Sequence, residues 1–139
     1  MWVRVRLRRP GSSAERVVSA YANGGFRAGE PSIMLPASLA VAMGFSLRGE
    51  SIDGRAIGGL EPEIVELGEL EVRVEVPDRL TPWKRCRVLC VEGQDEVLLS
   101  RELMGALGIR PFYDIGRWVL ADDEPGVLRE EAEPEYFPP

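Results

Sequence analysis

Val17-Val18-Ser19-Ala20-Tyr21-Ala22-Asn23-Gly24-Gly25-Phe26 is the stretch of sequence that decides the fold. The apolar and small residues up to Ala22 predict a strand. The Asn-Gly-Gly that follows predicts a tight loop, because asparagine and glycine both tolerate positive φ. Asn23 is the only asparagine among the 139 residues, and the chain has one glutamine, one threonine, one lysine and no histidine. A chain that otherwise avoids amides has placed one in this loop.

The overall composition predicts a single domain. At 139 residues the chain can bury a core without metal or disulfide staples. Its amide-poor, arginine-rich composition is one that thermophilic chains adopt. The longest apolar run, at residues 39–43, is far short of the ~20 residues of a membrane-spanning helix, and residues 1–9 lack the apolar block of a signal peptide. We therefore expect a cytoplasmic protein that does not bind a membrane.

Charge is unevenly distributed along the chain. The formal net charge is −6, and residues 121–139 hold seven acids against the single Arg129, so that residues 1–120 are balanced. Residues 121–139 also contain four prolines and little to bury, which predicts a flexible or loosely docked tail after a domain at 1–120. The Tyr136-Phe137 pair leaves a second interpretation open, a docking peptide for a partner or for the domain's own groove.

The residues that the chain lacks exclude several kinds of chemistry. Without histidine there is no Ser-His-Asp or Cys-His catalysis, and Cys86 and Cys90 alone cannot form a zinc site. These cysteines lie on one predicted strand about 13 Å apart, too far for a disulfide, so both are predicted to be reduced packing residues. The arginines of the first strand are opposed by acidic strands, which argues against nucleic acid. We expect no metal and no cofactor.

Strand patterns dominate the chain. Charged and apolar residues alternate with period two over residues 3–7 and 69–76. Further strands are predicted at residues 16–22, 32–35, 46–53, 55–67, 85–91, 96–99 and 118–120. Asp53-Gly54 predicts a tight hairpin between two of them.

Two short helices interrupt the strands. Residues 36–43 open with Pro36 and stop at Gly44, and residues 101–107 have Ser100 as N-cap and stop at Gly108. Each predicted helix follows an apolar strand and is followed by glycine and an apolar residue. This repeated pattern indicates an internally duplicated half-barrel. The pattern predicts a mainly all-β fold, a small β-barrel with two short helices.

Residues 16–120 resemble the retropepsin-like aspartic proteases, especially their single-domain bacterial and archaeal members. Three landmarks follow in order. The first is a strand, a loop of the Asp-Thr/Ser-Gly type and a strand ending in Leu-Pro, matched by Asn23-Gly24-Gly25, Phe26 and Leu35-Pro36. The second is a hairpin around Asp53-Gly54-Arg55, at the place of the flap that closes over a peptide. The third is an apolar pair, Gly-Arg and a helix, matched by Leu98-Leu99-Ser100-Arg101.

The resemblance implies a closed acid-protease-like barrel that pairs as a homodimer. In the family each chain supplies one aspartate, and the two carboxylates share a proton because neighbouring like charges cannot both ionise. Asn23 stands at the position of that aspartate, and its amide is no general base. Gly24 replaces the Thr or Ser whose hydroxyl helps to lock the two loops across the dimer axis. These coincident changes favour a naturally degenerate site.

Three functions are compatible with this interpretation. The first is a catalytically impaired homodimer that keeps a groove for a peptide or protein ligand, with Asn23, Gly25 and Phe26 on its floor and Asp53, Gly54 and Arg55 on its flap. The second is an active aspartic endopeptidase, through another carboxylate or through deamidation of Asn23, to which Asn-Gly sequences are prone. The third is a purely structural dimer whose groove is filled by side chains or by the tail.

Overall fold

A computed structural model describes residues 1–52 and 63–139, with the backbone alone for residues 50–52. The helices of this part of the chain are α1 (Ala37–Ala42) and α2 (Arg101–Leu107). Its strands are β1 (Trp2–Arg8), β2 (Glu15–Ala22), β3 (Ser32–Met34), β4 (Glu50–Ile52), β5 (Ile64–Val74), β6 (Lys84–Val91), β7 (Val97–Leu99), β8 (Ile109–Phe112), β9 (Arg117–Leu120) and β10 (Arg129–Glu130).

The first seven strands form one sheet in the order β1-β2-β7-β3-β6-β5-β4. A further antiparallel pairing of β1 with β5 closes the sheet into a six-stranded barrel, with β4 added at the side of β5. Side chains that alternate along the strands fill its interior, and Val5, Leu7, Val72 and Leu99 are fully buried there. The predicted mainly β fold, a small closed barrel with two short helices, is confirmed.

Two similar units of the chain interlock inside this barrel. Each unit has a long strand, a loop, a short strand and a helix: β2, β3 and α1 in the first, and β6, β7 and α2 in the second. The short strand of each unit pairs in parallel with the long strand of the other, β3 with β6 and β7 with β2. The two short strands pair with each other in antiparallel fashion. This exchange of short strands is the arrangement expected of a duplicated half-barrel.

β5 differs from the two strands predicted at residues 55–67 and 69–76. It is a single strand with a register shift between Glu66 and Gly68 against β6, which is a β-bulge. Gly68 has a φ of 143°, and a Cβ added to it would lie 3.2 Å from Cε1 of Phe45. The glycine therefore bends the strand around a buried aromatic ring instead of ending it.

Other boundaries also differ from the sequence prediction. The strand predicted at 46–53 is seen only as β4, because the hydroxyl of Ser46 accepts a hydrogen bond from the backbone N–H of Arg48 and forms a local turn. The hairpin predicted at Asp53-Gly54 lies outside the described residues. β8 and β10 were not predicted, and with β9 they form a separate three-stranded sheet.

Residues 121–139 are docked on the domain, so the interpretation of this tail as a free, solvated end is wrong and the docked alternative agrees with the structure. β10 pairs with β9, and Arg129 binds both Asp78 and Asp123 through paired hydrogen bonds. Arg79 binds Asp122 in the same bidentate way, at 2.7 and 2.9 Å. Two of the acids that suggested a solvated segment, Asp122 and Asp123, are thus partners of arginines.

The two cysteines behave as predicted. Cys86 and Cys90 are buried free thiols on β6. Burial raises the pKa of the Cys86 thiol to about 12 and also raises the pKa of Cys90. Both residues therefore act as packing residues. Within residues 1–52 and 63–139 neither helix is long and apolar enough to cross a membrane.

Candidate functional site

The loop at residues 23–31 joins β2 to β3 and carries the Asn-Gly-Gly sequence. Its start is fixed by the barrel, because the N–H of Ala22 donates to Met1 O at 2.8 Å and the N–H of Asn23 donates to Leu99 O at 3.4 Å. β2 and β7 run parallel and end side by side, so Asn23 lies next to the start of α2. Asn23 is half-buried and Gly25 is exposed.

The side chain of Asn23 shapes this loop. Its Oδ1 accepts a hydrogen bond from the backbone N–H of Gly25 at 3.0 Å, and its carbonyl oxygen accepts one from Phe26 at 3.1 Å. A Cβ on residue 25 would lie 3.3 Å from the Asn23 Oδ1, so glycine suits this contact. Neither Asn23 nor Gly24 has a positive φ. The asparagine therefore serves as an acceptor in an Asx turn, and the explanation by positive φ is wrong.

Glu102 of α2 holds the far side of the loop. Its two carboxylate oxygens accept the backbone N–H groups of Ala28 at 3.0 Å and Gly29 at 3.1 Å. The backbone N–H of Arg101 also donates to Phe26 O at 2.8 Å. The hydrogen bond from Ala28 is the main cause that lowers the pKa of the Glu102 carboxyl. The loop and the first turn of α2 therefore form one hydrogen-bonded unit.

Two further polar side chains, those of Ser100 and Arg87, hold the loop and the start of β3 in place. The fully buried Ser100 hydroxyl accepts hydrogen bonds from the N–H of Leu103, as helix N-cap, and from the N–H of Ser32. Arg87 of β6 donates to Ala28 O at 2.9 Å and to Ser32 Oγ at 3.2 Å. The two interlocked units thus meet at this loop, and each fixes the position of the other.

The exposed end of the β8–β9 hairpin lies beside Gly24. The Tyr113 hydroxyl is 3.8 Å from the position that a Cβ on Gly24 would occupy. Tyr113 is 60% exposed, and its neighbours Phe112 and Ile115 are 42% and 53% exposed. These three residues, here called the hairpin patch, form an apolar surface at the edge of the candidate site.

The structure brings together only part of the predicted site. Asn23, Gly24, Gly25 and Phe26 share one loop, whereas the predicted flap residues Asp53, Gly54 and Arg55 lie outside the described residues. Sequence reasoning missed Glu102 and Tyr113. An acid in the first turn of a helix was a usable signal for Glu102. Nothing in the local sequence indicated that Tyr113 lies near Gly24.

A cavity of about 670 Å³ lies at another part of the barrel. Its walls come from α1, β5, the turn after β6 and the last residue, and include Ala37, Val65, Cys90, Gly93 and Pro139. Within residues 1–52 and 63–139 there is no group of three or more His, Cys, Asp or Glu side chains placed to hold a metal ion.

Comparison with known proteins gives a likeness in structure but none in sequence. No known family profile matches the sequence, and no curated protein matches it. Among solved structures, the chain is similar to the crystal structure of the retroviral protease-like domain of Ddi1 from Leishmania major, with a TM-score of 0.48 and 10% sequence identity. The match covers 99% of this chain and 95% of that one. At this identity and TM-score the likeness assigns no role to any residue.

Proposed function

We propose that this chain is a catalytically impaired, aspartic-protease-like protein that pairs as a homodimer and binds extended peptides without cleaving them. The observation that carries the proposal is the amide of Asn23, which stands at the end of β2 where the sequence motif has its aspartate. That amide is already engaged as an acceptor for Gly25. It can bind a polar group of a ligand, but it cannot take up a proton from water.

The carboxylate that contacts this loop is not a substitute for the missing aspartate. Glu102 uses both oxygens on backbone N–H groups, and its pKa is lowered. In a catalytic pair that shares one proton, each carboxyl is shifted by the other, whereas the pKa of Glu102 is lowered mainly by backbone N–H groups. Glu102 therefore supports the loop. Among the described residues, this role argues against Glu102 as the acid that replaces the missing aspartate in hydrolysis.

The hairpin patch supports the homodimer. Tyr113 lies beside Gly24, and its neighbours in the same hairpin, Phe112 and Ile115, are also exposed. A second copy that covers this surface about a twofold axis would bring the two Asn23 loops together. The loops would then line one groove shared by both chains, with an extended peptide paired to strand edges.

The catalytic part of the proposal is tested by restoring the motif. Gly24 does not have a positive φ, and a side chain there would meet the Tyr113 hydroxyl at an ordinary contact distance, so Gly24→Thr should be tolerated. We expect the double variant Asn23→Asp with Gly24→Thr to gain a titration between about pH 3 and 7 from two coupled carboxylates. Weak peptidase activity in the same range should accompany it. Gly24→Thr alone is the matched control and should gain neither.

If the double variant is folded and shows no new titration, Asn23 is not equivalent to the family aspartate. Peptidase activity in the unmodified chain would contradict the impaired site. The dimer is tested by sedimentation of the wild type and of Phe112→Ser with Ile115→Ser. We expect the variant to shift from dimer to monomer at micromolar concentration, whereas Leu80→Ser, at a residue 82% exposed and far from the loop in sequence, should have no effect.

A second candidate function is an active endopeptidase formed by deamidation of Asn23. The half-exposed side chain is followed by two glycines, and no Cβ hinders attack of the Gly24 nitrogen on the Asn23 amide carbon. Ammonia leaves, and water opens the resulting ring to aspartate or isoaspartate. Accurate mass of the peptide around residue 23, after incubation of the folded chain at alkaline pH, distinguishes acid from amide. An unchanged amide would remove this candidate.

A further inference from the structure

The segment at residues 131–139, here called the C-terminal strap, crosses several elements of the barrel. The N–H of Ala132 donates to Trp2 O at 2.9 Å, and the Glu131 carboxylate accepts the N–H of Trp2 at 2.9 Å. Further along, the Glu135 carboxylate accepts the N–H of Ser19 at 2.9 Å. The strap thus follows β1 first and β2 next.

The last three residues of the strap continue to the other side of the barrel. The N–H of Phe137 donates to Asp95 O at 2.8 Å, in the turn before β7, and the hydroxyl of Ser38 on α1 donates to Pro138 O. Pro139 then forms part of the wall of the 670 Å³ cavity. The strap therefore covers a continuous surface that runs from β1 to this cavity. This surface, here called the track, consists of the residues that the strap contacts: Trp2, Ser19, Asp95 and Ser38.

Trp2 and Ser19 belong to the ladder between β1 and β2, and the track uses backbone groups on the sides of these strands that face away from that ladder. β1 pairs with β5 only over Val5 to Arg8, so Trp2 lies beyond the end of that ladder. β2 pairs with β7 only over Ala20 to Ala22, so Ser19 lies before its start. Free backbone groups at such edges are the groups that an added extended peptide recognises. The track is therefore a site for a chain in extended form, whichever molecule supplies it.

Side chains of the strap add a specific pattern. The ring of Tyr136 packs edge-on against Trp2 with centroids 5.6 Å apart, and Trp2 packs in the same way against Tyr21. Phe137 packs against the hydrophobic core. Together with the two carboxylates that accept backbone N–H groups, these contacts favour an acidic segment with an aromatic pair followed by proline.

The contacts of the strap lie at the surface of the domain. None of residues 121–139 is buried, and Tyr136 is 60% exposed although it touches Trp2. The strap has no helix or strand after β10. Each of its hydrogen bonds contributes on the order of 1 kcal/mol. Covalent attachment adds an effective concentration in the millimolar range.

We propose that this track is a binding site for extended acidic peptides that carry an aromatic pair followed by proline, and that the chain's own C-terminal strap is its resident ligand. A partner protein with such a segment binds by displacing the strap. The track uses residues other than those of the Asn23 loop, so the proposal stands independently of the proposed function.

The test weakens the contacts of the strap within the chain of residues 1–139 and adds a separate peptide with the sequence of the strap. Glu135→Ala with Phe137→Ala removes the contacts to Ser19 and to the core without altering the barrel residues of the track. The probe is a fluorescein-labelled nonapeptide with the sequence of residues 131–139, followed by anisotropy. We expect it to bind the double variant at least tenfold more tightly than the wild type, whose tethered strap competes.

Controls separate this site from nonspecific binding. Glu133→Ala removes a strap carboxylate other than the two that accept the N–H groups of Trp2 and Ser19. This variant should bind the probe like the wild type. A scrambled nonapeptide of the same composition should bind none of the variants. In the double variant the amide of Ser19 should exchange with solvent faster, and the probe should restore its protection. If the double variant does not fold, Glu135→Ala alone provides the same comparison.

The proposal is overturned if the loosened, folded variant binds the probe no better than the wild type, or binds the scrambled peptide equally well. It is also overturned if loosening produces a dimer that excludes the probe, because the occupant of the track would then be the strap of a second copy.

Discussion

Ser100 offers a quantitative test of how the two units are held together. Its hydroxyl is fully buried and accepts two backbone N–H groups, Leu103 at 3.1 Å and Ser32 at 3.0 Å. In Ser100→Ala the helix loses its N-cap, at about 1 kcal/mol. The buried N–H of Ser32 also loses its partner, at about 1–3 kcal/mol. The free energy of unfolding should fall by about 2–4 kcal/mol, and Tm by roughly 10 °C for a domain of this size.

Ser100→Gly separates the two contributions, because glycine is nearly as good an N-cap as serine and costs only about a few tenths of a kcal/mol there. The fall in the free energy of unfolding of Ser100→Gly should therefore reflect only the lost hydrogen bond of Ser32, and it should be smaller than the fall for Ser100→Ala. The assay is urea unfolding followed by circular dichroism. Ser46→Ala, at an exposed serine that also accepts a backbone N–H, is the control and should change stability by less than about 0.5 kcal/mol. A loss below about 1 kcal/mol for Ser100→Ala would refute the two-acceptor role.

Three other perturbations test the charged and thiol groups. The lowered pKa of Glu102 means that its contribution to stability is complete above the carboxyl's ordinary pKa and is lost as pH falls through the lowered value. The protection of the Gly29 amide, measured relative to its intrinsic exchange rate at each pH, should therefore fall in acid, and Glu102→Gln should remove most of this pH dependence. Asp123→Ala leaves the guanidinium of Arg129 with one carboxylate fewer and should cost about 2 kcal/mol in urea unfolding, and a wild-type midpoint would contradict the bidentate contacts. The Cys86 thiol should stay unreactive toward a thiol reagent at neutral pH until the protein unfolds, and rapid labelling of the native state would show that it is not buried.

The barrel was largely predictable from sequence because its signals are local. Period-two alternation in β1 and in the second half of β5, and the cap and stop residues of α2, depend on residues that are neighbours in the chain. The continuity of β5 through Gly68 was not predictable in this way. That bulge depends on the ring of Phe45, which is far away in sequence and close only after folding.

The candidate site was predictable only in part. The position of Asn23 at the end of a strand follows from the motif, and its Asx turn follows from the glycine two residues later. The clamp by Glu102 and the approach of Tyr113 require knowledge of which elements meet. Composition left the tail either free or loosely docked, because it cannot show that the arginines at positions 79 and 129 and free backbone N–H groups of β1 and β2 bind its acids.

The exchange of short strands between the two units has a consequence for how the chain acquires its structure. β3 finds its parallel neighbour only in β6, more than fifty residues later, and β2 finds β7 later still. The first unit therefore has no complete sheet while it emerges from a ribosome. Such long-range pairing makes folding slow and leaves apolar edges exposed in the meantime. Neither half should be stable when expressed alone, and the two halves should regain structure only when they are mixed.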